Sequence, residues 1–141
     1  MPSYPSHPMF DDQMKYKRET IKAMKKFKAA NPWKGTVDER FEKFTALCDE
    51  LKVIYTLPGL ELDAHIQRPY STSVSSCYCP SEKLILLSGR FSVITFLHEF
   101  AHAMDKNEFG ATRWSVNLFR KIFHEKMDAL KSNGHCLIRR Q

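Results

Sequence analysis

His98-Glu99-Phe100-Ala101-His102 places two histidines and a glutamate in an HExxH pattern within a chain of 141 residues. On a helix, residues four apart share a face, so both imidazoles can be directed at one point. Two neutral imidazole nitrogens at about 2.0–2.1 Å supply half of a tetrahedral Zn²⁺ shell, and a catalytic shell keeps one position open for water. Glu99 follows the first histidine and can reach that water as general base. The competing reading is an accidental match, and the flanking residues weigh against it. Val93, Ile94, Phe96 and Leu97 before the motif, and Phe100, Ala101, Ala103 and Met104 around and after it, make most of the helix surface apolar. That is the pattern of a buried helix, where histidines and a glutamate need polar partners or a metal ion.

The elements that must carry this helix are read from periodicity and punctuation. Residues 1–12 hold three prolines and no periodicity, which predicts an irregular, flexible tail ahead of a single domain over 13–141. A basic helix is expected from Gln13 to Ala30, with Met14, Ile21, Met24 and Phe27 as its apolar stripe. Asn31-Pro32 ends it. Thr36 and Glu39 form a capping box that opens a second amphipathic helix through Phe41, Phe44, Leu47, Cys48, Leu51 and Ile54. The period then changes to two: Leu60, Leu62, Ala64 and Ile66 alternate with polar residues, as in a half-buried strand. Cys77-Tyr78-Cys79 and Lys83–Ser88 read as strand segments around the turn Pro80-Ser81-Glu82. Ser92 is the N-cap of the HExxH helix. Asp105-Lys106-Asn107 breaks the chain before a last helix from Glu108 to about Leu130, capped by Ser132-Asn133-Gly134.

Composition bounds the function. Hydrophobic content of 43% and aromatic content of 12% fit a soluble globular domain. No apolar run has the length of a membrane span, and the first residues lack a basic-then-apolar signal. The four cysteines are too few and too irregular for a disulfide scaffold, so reduced thiols in a cytoplasm are expected. Cys77 and Cys79 share a strand face; without a second pair at zinc-finger spacing they read as packing thiols rather than a metal clip. The net charge of +6 is concentrated in the first helix (Lys15, Lys17, Arg18, Lys22, Lys25, Lys26, Lys28). Such a face can track phosphates, but a charge run is more often a solvated surface, so nucleic acid is possible and not favoured.

The order helix, helix, strands, HExxH helix, further helix resembles the minimal catalytic core of the zincin metallopeptidases over roughly residues 36–130. The resemblance implies an α+β fold, with helices packed on one face of a short three-stranded, mostly antiparallel sheet. It also implies that the strand before the motif, here Lys83–Ser88, pairs with an extended substrate. Glu108-x-x-Ala111 is similar to the third-ligand helix of gluzincins, particularly the small phage-, plasmid- and repressor-cleaving types. The chain departs from most of these in spacing, because Glu108 follows His102 by only six residues. That interval instead resembles the metzincin layout, with Asp105 at its glycine position. A turn through Asp105–Asn107 must then swing Glu108 back, and Asp and Asn tolerate the left-handed conformation such a turn uses. The alternative for Glu108 is a carboxylate favoured by the helix macrodipole, with Asp105 and His124 as reserve ligands.

The resulting expectation is a zinc-dependent peptidase acting on a peptide or protein substrate. His98, His102 and Glu108 hold Zn²⁺, Glu99 deprotonates the attacking water, and the proton passes to the leaving amine. Arg113, Tyr78 and His65 are candidates for stabilising the oxyanion. The competing class is a nucleic-acid-associated module with a non-catalytic metal. An open fourth position and a glutamate outside the ligand set argue for the enzyme, since structural zinc is closed by four protein ligands.

Overall fold

The computed structural model describes residues 10–64, 76–88 and 91–126. Four helices and a small sheet follow the order α1 (Arg18–Ala29), α2 (Val37–Ile54), β1 (Glu61–Ala64), β2 (Cys77–Cys79), β3 (Leu84–Leu87), α3 (Val93–Ala103) and α4 (Glu108–Ile122), with a 3₁₀ turn at His124–Lys126. The fold is α+β.

Local signals set the boundaries of α2 and α3. The Thr36 side chain accepts from the Glu39 backbone N–H while the Glu39 carboxylate accepts from Thr36 N–H at 2.8 Å, so the capping box is complete. Ser92 caps α3 by accepting from Thr95 N–H. Asn31 closes α1 in the left-handed region at φ 58°.

Tertiary contacts override the sequence pattern elsewhere. The first helix begins at Arg18 and not at Gln13, because Met14 and Tyr16 are drawn onto the core and the Tyr16 hydroxyl donates to the Trp114 carbonyl at 2.8 Å. Asp11 and Asp12, expected in the irregular tail, are tied to α4: Arg113 donates to Asp11 at 2.6 Å and Arg120 to Asp12, while Asp11 N–H donates to Asn117. At the other end, α4 stops at Ile122 rather than near Leu130. The fully buried Phe123 leaves the helical conformation there and sets its ring against Phe27, Trp33 and Phe119. The expected cap at 132–134 lies outside the described residues.

The sheet is mixed, not mostly antiparallel. Its order is β1-β3-β2, with β1 parallel and β2 antiparallel to β3. A parallel pair needs a long crossover, and the connection from Ala64 to Leu84, which contains β2, provides one. β3 is therefore the central strand, paired on both edges, so it has no edge for the extended substrate expected there. Ile85 and Leu87 are buried and Leu84 and Leu86 half-buried, so one sheet face meets the core. Phe44, Phe96, Phe100, Leu97 and Leu118 join the helices beneath it. No helix among the described residues is long and apolar enough to cross a membrane.

Arg40 of α2 fastens the entry to α3. Its guanidinium donates to the carbonyls of Pro32 at 2.8 Å and Phe91 at 3.0 Å. Phe91 is buried with φ 51°, a left-handed backbone unusual for a bulky residue, and its ring lies between Phe41 and Phe44.

Candidate metal centre

His98 and His102 lie one turn apart on α3, and Glu108 is the first residue of α4. Burial falls across the three: His98 is buried, His102 half-buried and Glu108 exposed. The helices are joined by a turn in which Asp105 takes φ 71°, the left-handed geometry that lets α4 double back. Asn107 then caps α4, accepting from Gly110 N–H at 2.8 Å.

Three donor atoms converge as a result. Glu108 Oε1 stands 3.2 Å from His98 Nε2 and 3.1 Å from His102 Nε2, and the two Nε2 atoms are 3.2 Å apart. Bonds of about 2.05 Å at tetrahedral angles put ligand atoms about 3.3 Å apart, so this near-equilateral triangle matches one face of a tetrahedron around a small ion. The tautomer of His102 fits as well. Its Nδ1 lies 2.9 Å from the Lys106 carbonyl, which can only accept, so Nδ1 carries the proton and Nε2 turns a lone pair to the centre. Among the described residues this is the one group of three His, Cys, Asp or Glu side chains able to hold a metal ion; Asp105 and His124 are not part of it. Partial burial pushes the Glu108 carboxyl up, but the two imidazoles, when protonated in the absence of an ion, outweigh it and hold the group below the ordinary carboxylate range.

Glu99 follows His98 on α3 and is half-buried. Arg113 is engaged by Asp11, which turns its guanidinium to the N-terminal segment rather than to an oxyanion. Tyr78 packs against the core from β2, and His65 lies outside the described residues. Two features near the centre leave little signal in the sequence. The Lys106 carbonyl is backbone and leaves no side-chain signal. Cys77, expected from the sequence to be a packing thiol, is exposed on the outer strand with Sγ 3.7 Å from Cys79 Sγ. Burial lifts the Cys77 thiol to about 11, helped by Cys79 and by the nearby carboxylate of Glu99.

The basic helix is partly consumed within the fold. Lys26 pairs with Glu50 at 2.9 Å, and Lys28 reaches Glu125 at 3.1 Å and the Ile122 carbonyl at 2.9 Å. Two of the lysines that would track phosphates thus fasten α1 to its neighbours.

Comparison with protein-family models, with curated proteins and with solved structures yields no match to this chain.

Proposed function

We propose that the chain is a zinc-dependent peptidase centred on His98, His102 and Glu108, with Glu99 as general base. The observation that carries this reading is the triangle of donor atoms with edges of 3.1–3.2 Å, built from an HExxH helix and the first residue of the next one. Two imidazoles and one carboxylate are a donor set suited to catalytic zinc, which takes three protein ligands and leaves a position for water or substrate. Zinc, when bound, supplies Lewis acidity of the kind that lowers the pKa of water from about 15.7 to about 7 and polarises a carbonyl.

The chain's own groups divide the remaining work. His102 is held in the required tautomer by the Lys106 carbonyl. Glu108, anionic at neutral pH, balances part of the cation's charge. Glu99 sits beside the first ligand, takes the proton from water and returns it to the departing amine, a role contributing about 10²–10⁴-fold in rate. Among the described residues, the outer edge of β2, and not β3, is the sheet edge open to an extended peptide on this side of the sheet.

The test is cleavage of an unfolded protein such as casein by the zinc-loaded chain and by Glu99→Gln. Glutamine keeps shape and fold but removes the base. The expected outcome is zinc retention with at least about a hundredfold loss of rate. Equal rates in the two proteins would remove Glu99 from the mechanism, and no cleavage by either would remove the activity.

A further inference from the structure

The described thiols outside the histidine centre are the buried Cys48 and the pair on β2. We infer that Cys77 and Cys79 form a second cation site, separate from the histidine–glutamate centre, for a thiophilic divalent ion of the zinc type. The two side chains project from the same face of β2 because they are two residues apart on a strand. Their sulfurs are 3.7 Å apart. A tetrahedral ion with Zn–S bonds of about 2.3 Å requires sulfurs about 3.8 Å apart, so the pair already spans one edge of such a shell.

The obvious alternative for a close thiol pair is a disulfide, and the backbone disfavours it. Two residues of a strand advance about 6.6 Å. That lies at the far end of the Cα range disulfides use, and it holds the two Cβ atoms well beyond the separation of about 3.5–4.5 Å that a disulfide requires. Cys77 and Cys79 are also pinned by pairing with Leu86 and Leu84 of β3, which resists the bend that oxidation would require. Chelation needs no such movement. Cys77 is exposed and Cys79 half-buried on the outermost strand, so an ion can enter from solvent. Binding replaces the two thiol protons, which leave to solvent, by two sulfur–metal bonds, and water or a solute donor completes the shell.

This site does not depend on the hydrolytic reading, and its test uses sulfur chemistry alone. Cd²⁺ is titrated into the full chain while ultraviolet thiolate-to-cadmium charge-transfer absorption is followed, in wild type, Glu108→Ala, Cys77→Ser, Cys79→Ser and the double serine variant. The serines are near-isosteric at a sheet edge, and circular dichroism checks that the fold is kept. Absorption should saturate with one equivalent of sulfur-bound Cd²⁺ in wild type and in Glu108→Ala, require at least tenfold more Cd²⁺ in each single serine variant, and be lost in the double variant. The double variant should keep its zinc at the histidine centre. Absence of the band in wild type, or its persistence in the double serine variant, would overturn the site. Loss of the band in Glu108→Ala, or of histidine-centre zinc in the double serine variant, would overturn its independence.

Discussion

At the scale of single residues, Asp105 decides whether the donor set closes. It lies between the last histidine and Glu108, and its φ of 71° makes the reversal that returns the acid to α3. The same turn brings the Lys106 carbonyl under His102 Nδ1. A reserve role as metal ligand is not needed for it. Left-handed backbone costs an L-residue with a Cβ roughly 1–2 kcal/mol, a penalty glycine escapes. Asp105→Gly should therefore keep the metal and hold or raise the melting temperature. Asp105→Val, β-branched at the same angle, should lose about 1–2 kcal/mol and bind metal more weakly. Calorimetry of the zinc-loaded variants separates the cases. Metal loss in Asp105→Gly, which keeps the turn and removes only the side chain, would return the carboxylate to the ligand set.

At the scale of elements, what was legible in the sequence was local. The capping box of Thr36 and Glu39, the Ser92 cap and the Glu108 start of α4 each depend on residues within a turn of one another, and each forms as the sequence predicts. His98 and His102 were legible for the same reason, and the six-residue interval selected Glu108. What was illegible depends on distant partners. The start of α1 is set by Trp114 and the end of α4 by Phe27 and Trp33; the parallel pairing of β1 with β3 joins segments separated by β2. Arg40 belongs to this second group, since nothing nearby in sequence marks it as the anchor of Phe91. Removing its two charged hydrogen bonds in Arg40→Ala should destabilise the fold by about 2 kcal/mol in urea unfolding. Arg40→Lys should not restore it, because a single ammonium lacks the fork that serves both carbonyls. A change below about 0.5 kcal/mol would place Arg40 among ordinary surface residues.

At the scale of the whole molecule, two couplings follow. The first is to alkali. Burial raises the Cys48 thiol to about 12 and pushes the Tyr16 and Tyr55 hydroxyls up as well. A group whose folded pKa is raised stabilises fully below its unfolded value and loses that contribution as pH rises towards the folded one. For Cys48 the window runs from the ordinary 9.0 to about 12. Stability should fall across it, on the order of 1 kcal/mol per pH unit for each such group. Urea midpoints at both ends of the window test this, and a rising midpoint would contradict it. The second coupling is to metal. The histidines belong to α3 and the acid to α4, the two helices that pack most extensively on each other, so a bound ion ties them together. Binding that requires the folded arrangement stabilises it, by about 2.7 kcal/mol at a hundredfold excess over Kd. The most direct measurement of the central claim is zinc retained per chain after dialysis against a mild chelator, in wild type, Glu108→Ala and Asp105→Ala. The centre described here predicts that wild type and Asp105→Ala keep their histidine-bound ion while Glu108→Ala loses it. Full retention in Glu108→Ala, or none in wild type, would contradict it.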